Sequence, residues 1–361
     1  MKLQLLRKDS TKDYITYGLV IVAFIIVQAL RVSGGISFML EGLLVPTCAY
    51  IILAVSLNIT VGILGELSLG QAGFMAIGAY SSALFSISTQ ESIPEVWIRF
   101  PLALLIGGVL AAVFGVLIGI PVLRLKGDYL AIVTLAFGEI IKNILSSTYF
   151  GYDSKGLHFS IISQSELGLE PDGKTLINGP LGLNGTPHDS NFIIGFVLIM
   201  ITLVITLNFI RSRTGRAVMS IRDNRIAAES VGINITKYKL IAFALTAFLA
   251  GIGGALYSHN FATLQAVKFD YNTSILILVF VVLGGIGNIR GSIIAATILF
   301  LLPEVLRSLS DYRMLFYAII LIVMMIFGNN PTIKTYREKF AMSTKSAFRT
   351  VFPKKEKKEA E

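Results

Sequence analysis

Residues 168–175, GLEPDGKT, could in principle bind a nucleotide, because they satisfy the phosphate-binding pattern G-x-x-x-x-G-K-[ST]. That pattern works where a strand feeds the loop and a helix follows it, so that the helix N-terminus faces the phosphate. Here Glu170 and Asp172 would repel phosphate, and residues 176–180, LINGP, do not start a helix. We therefore expect an exposed turn at this position.

Other sets of residues that carry out catalysis or bind metals are missing from the sequence. Cys48 is a single cysteine in an apolar run, and His158, His188 and His259 are scattered along the chain. No H-E-x-x-H or G-x-S-x-G motif is present. We expect no metal site, no cofactor in this chain and no enzymatic activity of its own.

Polar side chains interrupt the apolar, glycine-rich stretch from residue 58 to residue 80. A polar group without a partner in lipid costs several kcal/mol, so such a stretch must be buried in protein or line a wet cavity. The alternative is a short turn at residues 62–66 followed by an ordinary helix. Four of its polar residues are candidates for a translocation path: Asn58, Glu66, Ser68 and Gln71.

A second candidate for the path lies in the apolar run from residue 129 to residue 149. Glu139 is near the middle of this run, and Thr134 precedes it on the same predicted helix. An acid at that depth costs about 2.5–3.5 kcal/mol on insertion scales. Lys142 and Asn143 lie three and four residues further on and can meet the carboxylate. A local ion pair that fixes helix packing and a role beside the path both remain open.

A polar island from Arg211 to Lys239 holds seven of the 31 Lys and Arg residues of the chain. Its centre predicts a short helix that Asp223 or Asn224 caps and Gly232 ends. Ala227 and Ala228 would give that helix a slim face suited to a groove on a partner. The alternative is a solvated basic loop. We expect docking.

The composition indicates a polytopic membrane protein of the all-α class. The chain has 54% hydrophobic and 15% charged residues and a mean hydropathy of +0.73. About 20 apolar residues cross a bilayer, and that length predicts about ten transmembrane helices. Their approximate bounds are 14–31, 43–61, 67–88, 101–123, 129–149, 191–210, 239–258, 272–288, 291–308 and 313–328. The first helix is expected to be an uncleaved span.

Positive residues set the predicted orientation. With the N-terminus inside, the inside segments hold 23 Lys and Arg residues and the outside segments hold seven, which predicts that both termini and the island are cytoplasmic. The net charge of +9 therefore reflects topology and not nucleic-acid binding. The predicted organisation is a basic N-terminus at 1–13, a transmembrane domain at 14–328 with an outer loop at 150–190 and the cytoplasmic loop at 211–239, and a basic, low-complexity tail at 329–361.

Five ordered blocks carry a resemblance to a known family. They include SLNITVGILGELSLGQAGFMAIGAY at 56–80 and VVLGGIGNIRGSIIAA at 281–296, and the others lie at 123–145, 177–187 and 211–256. Together they resemble the LivM-type permeases of bacterial branched-chain amino-acid ABC transporters. The resemblance covers most of residues 45–310.

This resemblance implies an importer of the bacterial inner membrane that works with other proteins. The expected partners are a second, LivH-type permease, two cytoplasmic ATPases that carry ATP and Mg, a periplasmic binding protein and the lipid bilayer. Transport would follow alternating access, in which rigid groups of helices rock. Related permeases for urea, short amides, other amino acids or nucleosides remain an alternative. An ion-coupled transporter that uses Glu139 is a more distant one.

Two loops receive roles from the resemblance. In the family, the cytoplasmic loop before a late helix carries the coupling helix that docks on the ATPase. The matching residues here are Arg222, Asp223, Asn224, Ala227, Ala228, Glu229 and Gly232, although the order A-A-E departs from the wider E-A-A motif. The outer loop is expected to meet the binding protein through Gly179, Pro180, Gly182, Gly185 and Pro187. A disordered connector is the alternative for the outer loop.

Overall fold

Eleven helices account for most of the residues that the structure describes. The structure, a computed structural model, describes residues 2–307 except 36, 91, 124–128, 154–155 and 169–172, and a few residues between 312 and 323. The helices are α1 (Lys2–Val32), α2 (Phe38–Asn58), α3 (Gln71–Ser88), α4 (Val96–Val122), α5 (Tyr129–Ser147), α6 (Phe192–Arg211), α7 (Arg213–Asp223), α8 (Arg225–Ser230), α9 (Ile235–Ser258), α10 (Tyr271–Gly284) and α11 (Ile289–Val305).

Six helical segments in the described part of the chain are long and apolar enough to cross a membrane. They are Tyr14–Val32, Phe38–Leu64, Val96–Val122, Tyr129–Ser147, Phe192–Arg211 and Ile235–Ser258. Three other predicted spans correspond to α3, α10 and α11, which have 18, 14 and 17 residues and so fall short of the usual spanning length of about 20. Most of the predicted helix at 313–328, the tail at 329–361 and the centre of the P-loop-like stretch lie outside the described residues.

The central packing unit consists of α3, α4 and α9, which make the most extensive contacts among the described helices. Small residues let their backbones approach closely. A Cβ at Gly78 of α3 would overlap the backbone of Gly251 in α9, and a Cβ at Gly251 would lie 2.6 Å from the carbonyl oxygen of Gly107 in α4. Helices that are solvated by lipid gain contacts in this way. The three helices therefore form a tight core against which α2 packs.

A small antiparallel sheet covers one end of the helices. Its strands are β1 (Tyr149–Asp153), β2 (Gly156–Ser160), β3 (Lys174–Asn178), β4 (Leu183–Asn184) and β5 (Thr263–Leu264), in the spatial order β2-β1-β3-β4-β5. The described residues are mostly helical, as predicted, but the sequence did not predict the strands in the loop at 150–190. Strands of two to five residues bury too little surface to leave a clear alternating pattern in the sequence.

The helix bundle has a sheet end and an island end. At the sheet end, α5 and α9 finish and α6 and α10 begin. A buried ion pair at this end joins Arg99 of α4 to Asp189, with 2.8 Å between Nη2 and Oδ2, and both side chains are less than a tenth exposed. At the opposite, island end, α7 and α8 connect α6 to α9. The candidate site lies at the island end.

Candidate functional site

A break between α2 and α3 is the most irregular part of the helical core. The chain continues past Asn58 as a π-helix, Ile59–Leu64, and leaves the helical path at Gly65, whose φ of +79° favours glycine. Residues 65–70 have no regular structure, and α3 starts only at Gln71. The predicted turn at 62–66 and the predicted helix start at 67 were therefore too early, because the π-helix carries the first helix further. Short π-helical stretches occur frequently at functional sites.

Asn58 connects this break to a second one. Its Nδ2 donates to Oγ of Ser292 in α11 at 2.9 Å, and its Oδ1 accepts from the backbone N–H of Gly287 at 2.9 Å. Gly287 lies in the turn between α10 and α11 and has a φ of +81°. We call residues 58–70 and 285–292 together the junction. One buried amide thus holds the end of α2 against the α10–α11 turn and the first turn of α11.

Three further predicted path residues, Ser68, Gln71 and Thr134, are also buried. Gln71 donates from Nε2 to Oγ of Ser56 at 2.6 Å, and Thr134 Oγ1 in α5 accepts from the backbone N–H of Leu69 at 3.0 Å. Ser68 is 2% exposed. The Thr134 contact satisfies a backbone N–H of the irregular segment 65–70 that lipid could not satisfy. Asn58, Ser68, Gln71 and Thr134 are therefore all buried at or beside the break between α2 and α3.

Glu139 lies near the same break, since its neighbour Gly138 packs against Gly73 of α3. Its carboxylate forms the expected ion pair with Lys142, and its Oε1 also accepts from the backbone N–H of Tyr271 at 2.9 Å. Tyr271 is the first residue of α10, where a negative charge is favoured by the helix dipole. The sequence suggested the partner on α5 but gave no sign of the partner on α10. The carboxylate thus joins α5 to the start of α10, and its role beside the path stays a prediction.

Within the island, the short helix predicted from the sequence is α8, and it is capped at both ends. Asn224 Oδ1 accepts from the backbone N–H of Ala227 at 3.0 Å, so the cap is Asn224 rather than Asp223. Gly232 ends the segment with a φ of +83°. Ser212 caps α7 in the same manner, through a 3.0 Å hydrogen bond from Gly215 N–H. These caps satisfy the N–H groups that a short helix leaves free.

The two alanines of α8 face opposite ways. Ala228 is 3% exposed and packs with Ile221 and Ile235 in a small core inside the island, whereas Ala227 is exposed. The predicted slim face is therefore only half available to a partner. Ile226 and Val231, which the sequence analysis passed over, are 81% and 75% exposed. The sequence could have indicated both residues, because they are apolar residues in an otherwise polar loop. Two exposed apolar side chains on one short polar segment make it a candidate contact surface for another protein.

Two basic residues of the island contact the junction directly. Arg222 Nη1 donates to the backbone carbonyl of Gly62 at 2.9 Å, and Lys239 forms an ion pair with Glu66. A Cβ at Gly65 would lie 2.5 Å from Cγ of Arg222, so the arginine stem fills the space beside that glycine. The sequence did not indicate these pairs, because their members are about 160–170 residues apart.

The loop at the sheet end is ordered in its described part. Gly179 and Pro180 belong to a short 3-10 turn, Gly179–Leu181, and Asn178 N–H donates to the Gly182 carbonyl at 2.8 Å. Gly185 N–H donates to the Ala262 carbonyl at 3.0 Å, and Pro187 follows two residues later. The alternative of a disordered connector was therefore wrong for residues 173–190. These residues form a fixed surface beside the Arg99–Asp189 pair.

The six apolar helical segments of the described residues define a multi-pass membrane protein. The chain matches the family described as branched-chain amino acid transport system / permease component over residues 39–327, and it belongs to that family. A permease of this class works together with other components of an ABC transporter.

Individual relatives support the same assignment. Over 291 residues, 78% of this chain and 67% of the relative, the chain is 35% identical to the LivM permease protein of the high-affinity branched-chain amino acid transport system of Salmonella typhimurium. It is 24% identical to a nucleoside ABC transporter permease protein of Lactococcus lactis over 58% of this chain and 62% of that protein. It is 23% identical to a ribose import permease protein of Haemophilus influenzae over 77% and 81%. No solved structure matches the chain significantly.

Proposed function

We propose that this chain is a permease subunit of an ATP-driven importer that moves leucine, isoleucine and valine across the bacterial inner membrane. The observation that carries the substrate class is the 35% identity, over 78% of the chain, to a branched-chain amino acid permease protein. The more distant nucleoside permease keeps nucleosides as the second candidate substrate. In this proposal the chain has ten spans with both termini in the cytoplasm.

The remaining parts of the transporter are supplied by other chains. A second, LivH-type permease completes the pathway, two ATPases bind ATP and Mg in the cytoplasm, and a periplasmic binding protein delivers the amino acid. The ordered loop with Gly179, Gly182 and Gly185 offers that protein a fixed surface at the sheet end. This chain forms no covalent intermediate. It contributes a surface, a path and a means of moving that path.

The ATPase contact is assigned to the exposed side of α8. Ile226 of α8 and Val231, which directly follows α8, project from a segment whose ends are fixed by Asn224 and Gly232. Burial of two such side chains in a groove would contribute about 1.5–3 kcal/mol each. Ala228 supports this surface from below, since it packs against Ile221 and Ile235. The coupling helix thus docks through its isoleucine and valine and not through both alanines.

The path is assigned to the junction. Asn58, Ser68, Gln71 and Thr134 supply polar groups in the core that could serve a zwitterion once the helices separate, and Glu66 lies at the island end of the same segment. Glu139 is assigned a structural role, because both of its oxygens are used at the start of α10 and by Lys142. Rocking of the helices on either side of the junction would open it to one side at a time.

Uptake by the reconstituted transporter tests the substrate. Vesicles that contain this permease with the ATPases, the second permease and the binding protein encoded with it are loaded with ATP, and uptake of radiolabelled leucine, urea and uridine is compared. We expect ATP-dependent uptake of leucine that excess isoleucine or valine inhibits. Uptake of uridine without leucine would favour the nucleoside alternative. Leucine uptake that persists without the ATPases and follows an ion gradient would overturn the proposal.

The docking surface has its own test. Ile226→Asp places a charge where the proposal has an apolar anchor, so co-purification of the ATPases should fall strongly. Thr236→Asp is the matched control, because Thr236 is also exposed on the island and the change adds the same charge. Equal co-purification of the ATPases with both variants would show that the α8 surface is not the docking site.

A further inference from the structure

The two contacts between the island and the junction have a role beyond holding the loop in place. We propose that Arg222 and Lys239 are positioning residues that transmit the movement of the ATPase-bound helix α8 to the break between α2 and α3. This proposal rests on the proposed function. It adds the route by which the force reaches the path.

The first contact uses the end of a helix. The π-helix Ile59–Leu64 ends near Gly62, and carbonyl groups at a helix C-terminus lack partners within the helix and carry partial negative charge. The Arg222 guanidinium supplies a donor to the Gly62 carbonyl at 2.9 Å. Its Nε and Nη2 also donate to Asp223 Oδ1, at 3.1 and 3.0 Å, which fixes the plane of the guanidinium. A rigid, oriented side chain thus connects the end of α7 to the break.

The second contact lies on the other side of α8. Lys239 belongs to the first turns of α9, and its ammonium pairs with Glu66, which directly follows Gly65. The lysine side chain is 7% exposed and the glutamate side chain 20%. A buried charge that loses its partner is strongly unfavourable. The pair therefore keeps α9 and residue 66 together when either of them moves.

The two contacts flank α8 in sequence, and their partners in the break lie within one stretch of five residues. Arg222 precedes α8 and Lys239 follows it, while their partners are Gly62 and Glu66. One attachment would let α8 pivot, whereas two attachments make the island and the break turn together. The small core of Ile221, Ala228 and Ile235 links α7, α8 and α9, so the island itself moves as one piece.

The movement does not stop at the first break. Asn58, one helical turn before Gly62, holds Gly287 of the α10–α11 turn and Ser292 of α11. A displacement of Gly62–Glu66 is therefore passed to the start of α11. The route runs from the exposed side of α8 through Arg222 and Lys239 to both halves of the junction.

Charge-removing variants test this route. Arg222→Gln and Lys239→Met are compared with Arg213→Gln and Lys237→Met, which remove the same charges from exposed residues of the same helices that make no described contact with the junction. Three quantities are measured in vesicles that contain the complete transporter: ATPase co-purification, ATP hydrolysis and leucine uptake. We expect the two test variants to retain the ATPases and to hydrolyse ATP, while leucine moved per ATP falls about tenfold, a factor typical of coupling between sites. The control variants should keep the wild-type ratio.

Restoring the ion pair provides the second test. The double variant Glu66→Lys with Lys239→Glu reverses the pair, and it should recover most of the leucine moved per ATP that Lys239→Met loses. Arg222 is 38% exposed, so Arg222→Gln does not endanger folding and decides the question if Lys239→Met is not produced. A wild-type ratio in Arg222→Gln, with normal assembly, would overturn the route. Failure of the wild-type complex to assemble or to import leucine would instead overturn the proposed function.

Discussion

Asn58 and Ser292 are joined by a hydrogen bond of 2.9 Å between Nδ2 and Oγ, although 234 residues separate them in the sequence. The same amide accepts the Gly287 N–H through its oxygen, and its side chain is 1% exposed. Both ends of one amide are therefore used to hold the end of α2 against Gly287 in the α10–α11 turn and Ser292 in α11. Asn58 is accordingly the residue on which the arrangement of the junction depends most directly.

Replacement of Asn58 by leucine should destabilise the protein. Leucine has a similar size but leaves the Gly287 N–H without its partner, and each buried polar group that loses its partner costs about 1–3 kcal/mol. The midpoint of thermal unfolding of the detergent-purified protein measures the effect. Ser292→Ala removes one of the two bonds and should cause a smaller shift. An unchanged midpoint for Asn58→Leu would contradict the assignment.

Phenylalanine at the two neighbouring alanines of α8 should have different effects. Ala228→Phe forces a ring into the core of Ile221 and Ile235, and overpacking of this kind costs about 1–3 kcal/mol. Ala227→Phe adds the same ring to an exposed position. Limited proteolysis of the island, followed by mass spectrometry, should show faster cleavage for Ala228→Phe alone. Equal protection of the two variants would mean that Ala228 is not a core residue.

A methyl group at Gly254 should disturb the central packing. Its Cβ would overlap the backbone carbonyl of Met75, so α3 and α9 would have to separate. Gly42 is the control, because no atom lies within 4 Å of the position that its Cβ would take. Since alanine is favoured over glycine within helices by roughly 0.5–1 kcal/mol, Gly42→Ala should be neutral or slightly stabilising. Gly254→Ala should lower the unfolding midpoint, and comparable midpoints for both variants would contradict this packing.

Acid should destabilise the sheet end through His259. Burial lowers the pKa of this imidazole, and Arg99 lowers it further, while the hydrogen bond to the Ala255 carbonyl and the charge of Asp189 act in the opposite direction. The folded protein therefore favours neutral His259. Its contribution to stability is complete above the ordinary pKa of about 6.5 and is lost as the pH falls toward the lowered value.

Unfolding midpoints measured on both sides of that ordinary pKa test the effect. The wild type should lose stability on acidification more steeply than His259→Gln, which cannot titrate at this position. Parallel pH profiles for the two proteins would show that His259 does not control the acid sensitivity of this end.

Local features of the fold could be predicted from the sequence, whereas long-range features could not. Lengths of apolar runs indicated α2, α4, α5, α6 and α9, and the Asn-to-Gly interval indicated α8 with its ends. These signals depend on neighbouring residues, which the sequence displays directly. The extension of α2 to Leu64 gave no such signal, because the π-helix is stabilised by partners that come from α7 and from the turn before α11.

The candidate site shows the same division. The sequence indicated four candidate residues because they are polar in apolar surroundings, which is a local property. These residues are Asn58, Glu66, Gln71 and Thr134. Their partners, Ser292, Lys239 and Ser56 among them, come from other elements of the fold and depend on how the helices pack. The exposure of Ile226 and the burial of Ala228 depend on the same packing. Because α8 has only six residues, the periodicity of its apolar residues cannot show which side chains are buried.

The five-stranded sheet also sets an order of assembly. β4 is made before α6 to α9, and its neighbour β5 is made only after them. Proteins that fold during synthesis complete their N-terminal parts first, so β4 waits without a partner on one side until four more helices have emerged. An incomplete chain that ends before Thr263 would expose this strand as a free edge, which other chains can pair with. Completion of the sheet is therefore a late event in the synthesis of the protein.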